Sequence, residues 1–355
     1  MSMKRFLDIT DFSREGLREI LNLMSFLKTN TGTYSQELDK KVVANAFYKE
    51  DKNTEAASTA AAVRMGGSTM NFSNSSNGSL KDDITVMSSV SDVIVLSHSK
   101  KGAARAASLY SSVPVINAGD GGRAYPVKTL ADFSTVWIEK NHISNMKIGF
   151  SGDFSNNALV KNLLQCLSLY NGNEFYFISV NGAQLPEELI NILKKREKKY
   201  FVFDNLFDAI PQLDVLYMTE VKKESFENEK AFEERKHNFI LNEKMLLTAK
   251  ADLVILHHFP RGIELDMSVD EDERAKYVSA LDRYVDACCA SILKTVTGRA
   301  GRYIKPDFEE ATHDAYCGKP DCITSDEKYL PPLFYELADG KLICKYCGQE
   351  LKTNE

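Results

Sequence analysis

Phe47-Tyr48-Lys49-Glu50-Asp51-Lys52-Asn53-Thr54-Glu55-Ala56-Ala57-Ser58 is the stretch from which the fold reads outward. An apolar, β-prone run, Val42 to Tyr48, leads into it, and an Ala-rich helical tract from Glu55 to Met65 leaves it and closes at Gly66-Gly67. Strand, polar loop and helix start is the place where an α/β protein holds an anion, because unpaired N–H groups and the helix dipole converge there. Here the loop sets Glu50, Asp51 and Glu55 against Lys49 and Lys52. A phosphate would meet carboxylates where it should meet cations.

The same alternation continues on both sides. A helix is expected over residues 11–30, capped by Asp11, with Leu17, Ile20, Leu21, Met24 and Leu27 on one face. After a Ser/Asn/Gly-rich loop between Phe72 and Leu80 come a helix over Ile84–Val90 and a strand over Asp92–His98. Then follow a helix over Ala103–Tyr110, a strand over Val113–Asn117 and a helix over Leu130–Glu139. From Met146 the pattern restarts, with strands at Lys147–Ser151, Glu174–Val180, Tyr200–Phe203, Val215–Thr219 and Leu253–His257. Helices are expected at Ala158–Tyr170, Pro186–Lys195, Lys230–Leu247 and Lys276–Lys294. Strands alternating with helices imply parallel sheets. The expectation is an α/β protein of two parallel-sheet domains, residues 1–140 (completed by a helix at 276–297) and 141–275, with a ligand cleft facing the strand C-termini, plus a third domain over 298–355.

Composition narrows the function classes. With 44 basic and 50 acidic residues among 355, the chain is mildly acidic and offers no nucleic-acid surface. No apolar run reaches the roughly 20 residues of a membrane span, and the first residues lack the apolar core of a signal peptide, so a cytoplasmic location is expected. Of seven cysteines, an odd number that argues against a disulfide framework, four crowd into the tail as Cys317-x4-Cys322 and Cys344-x2-Cys347. Two short Cys pairs joined by an aromatic and aliphatic tract fit a zinc ribbon, with four thiolates closing a structural site and His313 as a spare ligand. Cys288 and Cys289 on the last long helix read as packing.

Several motifs, in order, carry a resemblance: Phe47-Tyr48…Thr54, Lys101-Gly-Ala-Ala-Arg105, Val113-Pro-Val-Ile-Asn-Ala-Gly-Asp-Gly121, Pro126…Thr129-Leu-Ala-Asp132, Tyr217-Met-Thr219 and Leu256-His257…Pro260-Arg261. Over residues 1–297 the chain resembles aspartate carbamoyltransferase catalytic chains, and its tail resembles the zinc domain of that enzyme's regulatory chain, so it reads as a fusion of the two. The resemblance implies a carbamoyl-phosphate domain, an aspartate domain, structural zinc, and a homotrimer or higher oligomer. It also implies carbamoyl transfer to the aspartate amine in pyrimidine synthesis.

Departures from the family pattern fall on both substrate sites. The family loop Ser-Thr-Arg-Thr-Arg is Asp51-Lys52-Asn53-Thr54-Glu55; a second family arginine is Ser97; the histidine of His-Pro-Thr-Gln is Tyr125 and its glutamine Lys128. The loop that sends a lysine into the neighbouring site is shortened around Ser79–Asp83. In the second domain an aspartate-binding arginine is Ala158, the Met-Thr-Arg arginine is Glu220, the glutamine two residues on is Lys222, and the leucine of His-Pro-Leu-Pro is Phe259. Each charged hydrogen bond lost with an arginine removes roughly 1.5–3 kcal/mol, and each carboxylate in its place adds repulsion of about 1–4 kcal/mol. Loss of an oxyanion donor costs roughly 10²–10³ in rate.

Lys52, Asn53, Thr54, Ser97, Tyr125, Lys128, Ala158, Glu220, Lys222 and His257 are therefore ligand-site positions, mostly altered, with no confident catalytic residue among them. His257, at a strand end facing the cleft, is the best surviving one; Thr54 reads as a first-turn cap, and Arg105 and Arg261 as structural. The sequence favours a degenerate active site over an enzyme: a pseudoenzyme that binds a ligand or a partner, such as a catalytic or regulatory chain of a genuine aspartate carbamoyltransferase. The alternative is an active aspartate carbamoyltransferase, or a transferase that uses the remaining lysines on another amine.

Overall fold

In a computed structural model of the chain, the described residues are 5–30, 32–72, 78–155, 157–180, 182, 184–296, 311–312, 315–337 and 340–351. They form two compact units, one of residues 1–130 with 284–355 and one of residues 131–283. The unit boundaries fall within two helices; each unit is described by itself.

The first unit contains β1 (Arg5–Phe6), α1 (Arg14–Thr29), β2 (Val42–Phe47), α2 (Lys52–Arg64), β3 (Ser68–Phe72), α3 (Leu80–Val90), β4 (Val93–His98), α4 (Ala103–Tyr110), β5 (Val115–Asp120) and the start of α5 (Pro126–Lys140). Five of these strands form one parallel sheet, in the order β1-β5-β4-β2-β3. β4 and β5 are buried almost end to end, as parallel strands covered on both faces must be. That is why β4 opens as an apolar run, Val93–Leu96, without alternation. The alanines of α2 and α4 allow close approach to the sheet: Ala57, Ala61 and Ala62 on α2 and Ala103, Ala104, Ala106 and Ala107 on α4 are buried. Chain order reverses between β2 and β4, which is the crevice where open parallel sheets place ligands. The loops leaving those two strands are the ones carrying Lys49–Asp51 and Ser99–Gly102.

The second unit continues α5 and adds β6 (Lys147–Gly152), α6 (Ala158–Leu167), β7 (Glu174–Ser179), α7 (Glu187–Lys195), β8 (Tyr200–Phe203), α8 (Leu206–Ala209), β9 (Val215–Met218), α9 (Glu229–Arg235), α10 (Glu243–Leu246), β10 (Val254–Leu256) and the start of α11 (Ala280–Val296). Its parallel sheet has the order β10-β9-β6-β7-β8, with the reversal between β6 and β9. The expected pair of parallel-sheet α/β domains is thus present; both sheets have five strands, the second running from β6 through β7 to β8 where the first has β3 alone, and having no counterpart of β1.

β11 (Ala311–Thr312), β12 (Leu333–Glu336) and β13 (Leu342–Cys344) form a small antiparallel sheet. This ribbon packs on its own chain. Ile323, Leu330, Phe334 and Tyr346 join Ile84 and Met87 of α3 and the alanines of α4 in one buried cluster. Its backbone also pairs with the loop after β4: Lys101 N–H donates to the Asp321 carbonyl at 2.8 Å, and Ile323 N–H donates to the Lys101 carbonyl at 3.0 Å. Gly102 sits at φ +85°, and a Cβ there would lie 2.5 Å from the Tyr346 carbonyl group. Only glycine meets both conditions.

The structure corrects several expectations. Ser13, not Asp11, caps α1; Asp11 accepts instead from the Leu7 and Asp8 amides. α2 starts at Lys52, three residues earlier than expected, and its cap is Asp51. β1 and β3 went unread because one has two residues and the other is a largely exposed edge strand. Lys230–Leu247 is not one helix: Asn242 caps a new turn, and α9 and α10 are separate. Residues 73–77, Gly298 and His313 lie outside the described residues.

Candidate functional site

The first site is the turn from β2 into α2. Tyr48 and Lys49 donate their amides to the Ser97 carbonyl at 2.9 and 3.2 Å, and the buried Ser97 hydroxyl donates to the Lys49 carbonyl at 3.0 Å. The position that the resemblance gives to an arginine thus holds a hydroxyl committed to bracing the loop. Tyr48 fastens the far side by donating its hydroxyl to Asp83 at 2.9 Å.

At the start of α2, Asp51 is an N-cap whose Oδ1 accepts from the Thr54 amide at 3.3 Å. Its Oδ2 lies 2.7 Å from Lys128 Nζ on α5, both side chains being largely buried. Thr54 is fully buried, and its hydroxyl is without a hydrogen-bond partner among the described residues. It occupies the third helical position rather than the cap. Asn53 is exposed. Lys52 turns back to Glu50 at 3.0 Å in open solvent. Lys49 Nζ reaches the Tyr125 hydroxyl at 3.4 Å, and Lys128 Nζ lies 5.6 Å from the Tyr125 ring centre. The ring is seated over Gly119, where a Cβ would come within 2.6 Å of it. Arg105 on α4 is buried, with Nε unpartnered among the described residues.

The end of β5 carries a buried acidic residue. Asp120 accepts from the amides of Gly102 and Ala124, at 3.1 and 3.0 Å. Burial, opposed by Arg123, pushes its pKa up to about 6. Burial together with Asp8 does the same for Asp11.

In the second unit, Ala158 is buried at the start of α6 and offers no polar group. Glu220 and Lys222, after β9, are both exposed and pair with each other at 3.1 Å. His257 does follow β10, but it does not present a free ring. Its Nε2 is 2.7 Å from Glu264 Oε1, with the two side chains 3% and 0% exposed. Burial alone would raise Glu264; hydrogen bonds from His257 and the Gly262 amide outweigh it and hold the carboxyl below its usual range. The expected ligand-facing histidine is a buried hydrogen-bond partner of Glu264. Asp132, whose Oδ2 meets His258 Nε2 at 2.8 Å and accepts the Tyr217 hydroxyl at 3.2 Å, was not singled out from sequence. Its partners lie more than eighty residues downstream. Arg261 makes a two-pronged pair with Asp270 at 2.7 and 2.9 Å.

The two units match family models along most of the chain. Residues 4–137 match the aspartate/ornithine carbamoyltransferase carbamoyl-P binding domain, and residues 144–283 match the Asp/Orn binding domain. The chain belongs to the aspartate/ornithine carbamoyltransferase family. It is 37% identical over 280 residues to the aspartate carbamoyltransferase catalytic subunit of Clostridium novyi, covering 77% of this chain and 92% of that one. It is 38% identical over 281 residues to the catalytic subunit of Clostridium acetobutylicum, with the same coverage. Among solved structures, the catalytic subunit of M. jannaschii aspartate transcarbamoylase superposes with a TM-score of 0.79 at 32% identity, over 84% of this chain and 100% of that chain. The Trypanosoma cruzi aspartate transcarbamoylase bound to N-(phosphonacetyl)-L-aspartic acid superposes at 0.75 and 25% identity, over 83% of this chain and 96% of that chain.

The family match ends at residue 283, ahead of the cysteine quartet. Cys317, Cys322, Cys344 and Cys347 are all buried, and their sulfurs lie within 4.8 Å of one another. Cys317 and Cys347 are 3.7 Å apart, and Cys322 and Cys344 are 3.9 Å apart. A tetrahedron of sulfurs bonded to zinc at about 2.3 Å has edges of about 3.8 Å. The four thiols therefore fit a closed metal site, and at these separations they are free rather than bridged. Among the described residues no helix is long and apolar enough to cross a membrane.

Proposed function

We propose that this chain is a carbamoyltransferase-fold protein in which transfer from carbamoyl phosphate to L-aspartate is weak or lost. It would act by binding a partner or a less anionic ligand in pyrimidine or amino-acid metabolism. One observation carries this reading. The three lysines at matched ligand positions each meet a carboxylate of their own unit: Lys52 with Glu50, Lys128 with Asp51 and Lys222 with Glu220, at 3.0, 2.7 and 3.1 Å. Two anionic reactants would have to displace those carboxylates, with no guanidinium at Asn53, Ser97, Ala158 or Glu220 to compensate.

On this reading the quartet holds structural zinc, since four thiolates leave no open position. The modules are residues 1–140, 141–275 and 298–355, and the cytoplasmic assembly is a homotrimer or higher oligomer, or a mixed oligomer with a genuine catalytic or regulatory chain. A second reading has its own support. The curated relatives named above are catalytic subunits, and nothing in the comparisons points to an inactive member. An active aspartate carbamoyltransferase, or a transferase acting on another amine, would use the Tyr125 hydroxyl beside Lys49 as its donor to the carbamoyl oxygen.

Turnover separates the two readings. The zinc-loaded protein is assayed with carbamoyl phosphate and L-aspartate, then with a panel of amines. The first reading expects a rate depressed by at least the roughly 10²–10³ that one missing oxyanion donor costs. Turnover typical of enzymes, on the order of 1–10³ per second, would establish the second.

A further inference from the structure

We infer that Asp51 is a tethered anion that occupies the oxyanion seat at the start of α2, so that the protein excludes free phosphate by filling the site with its own carboxylate. This rests on the reading above and names the residue that enforces it. Three features of the seat are built for a negative charge. The Thr54 amide is one of the unpaired donors at the N-terminus of a 13-residue helix. Lys128 supplies a largely buried ammonium group from α5. The Thr54 hydroxyl, in the same turn, is fully buried and has no partner among the described residues, and a buried polar group in that state calls for a contact that those residues do not supply. Asp51 engages the first two, one through each carboxylate oxygen, and leaves the third.

A planar carboxylate on a short stem reaches two donors that lie on either side of it. A tetrahedral oxyanion has a further oxygen for a hydroxyl. Asp51 is therefore the specificity-determining residue of the seat. With it in place the seat carries no net positive charge toward an incoming anion. A ligand that enters beside it must be neutral, or carry an amino group that the carboxylate accepts. With it removed, the Thr54 amide and Lys128 lose the carboxylate they share, in the same turn as the buried Thr54 hydroxyl.

The test is calorimetric titration of inorganic phosphate into the zinc-loaded wild-type protein and two variants, Asp51→Ser and Asp51→Asn. Both replacements are good helix caps, so α2 stays closed, and circular dichroism and the thermal midpoint check that it does. The inference expects no saturable phosphate binding by wild type. It expects at least a tenfold gain in affinity in each variant, abolished when Lys128→Gln is added to Asp51→Ser. Folded variants that gain nothing would overturn the inference while leaving the proposed function intact. Wild type that binds phosphate as tightly as Asp51→Ser would overturn it as well. Rapid turnover of carbamoyl phosphate by wild type would instead remove the reading on which it rests.

Discussion

Lys128 Nζ lies 2.7 Å from Asp51 Oδ2, joining the first residues of α5 to the cap of α2 across 77 positions of sequence. The pair neutralises a largely buried cation beside the helix start. Lys128→Met should leave a largely buried carboxylate without its cation. The expected cost is about 1.5–3 kcal/mol, which is several degrees in the thermal midpoint of the first unit. Calorimetry of the single variant and of Lys128→Met with Asp51→Asn checks it. The double variant should recover most of the loss, because no buried charge remains unpaired.

Acidification should act oppositely on the two units. Asp120 and Asp11 have folded pKa values raised to about 6, above their unfolded value of 3.8. Between those values the folded state holds more protons than the unfolded one, so stability of the first unit rises as pH falls from 7 through 6. The gain is at most about 3 kcal/mol per carboxyl. Asp120→Asn, neutral at every pH, should show a smaller rise between pH 7 and pH 5 in a calorimetric series. In the second unit Glu264 is depressed below 4.5. Its contribution is complete above that value and is lost as pH falls through the folded pKa, so Glu264→Gln should flatten the loss of stability on the acid side.

Metal removal should reach beyond the ribbon. Lys101 is hydrogen-bonded through both its N–H and its carbonyl to residues flanking Cys322, and the Leu80 amide donates to Glu327 at 3.0 Å. Chelation should therefore speed amide exchange at Lys101, Leu80 and Lys81 as well as in β12 and β13, with the second unit unchanged. Exchange that changes only within residues 315–351 would show a ribbon independent of its neighbours.

Gly102→Ala should uncouple the ribbon without touching a cysteine. The added Cβ meets the Tyr346 carbonyl group at 2.5 Å in a backbone conformation that alanine disfavours. Limited proteolysis should cut the tail of this variant faster than that of wild type, with zinc content preserved.

Much of this was legible in the sequence. The run Val93–Leu96 names a buried parallel strand because nothing polar interrupts it. The cysteine spacing pointed to four sulfurs gathered in one place, and the structure gathers them. The acidic character of the seat was legible at Asp51 and Glu55. What could not be read was tertiary pairing. No local pattern tells that Asp51 would cap α2 and also claim Lys128, or that Glu264 would bury against His257 and take it out of play. Thr54 shows the same limit: a threonine in a first turn suggests a cap, and only the packed structure leaves its hydroxyl orphaned at the third position.

The claim on which the account depends is that the surviving cations of the ligand positions are already neutralised from within. Titration of the wild-type protein with N-(phosphonacetyl)-L-aspartic acid, which carries the charges of both reactants in one molecule, tests it most directly. The account predicts no saturable binding tighter than about 1 mM. A dissociation constant in the micromolar range or below, with heat that saturates at one ligand per chain, would contradict it.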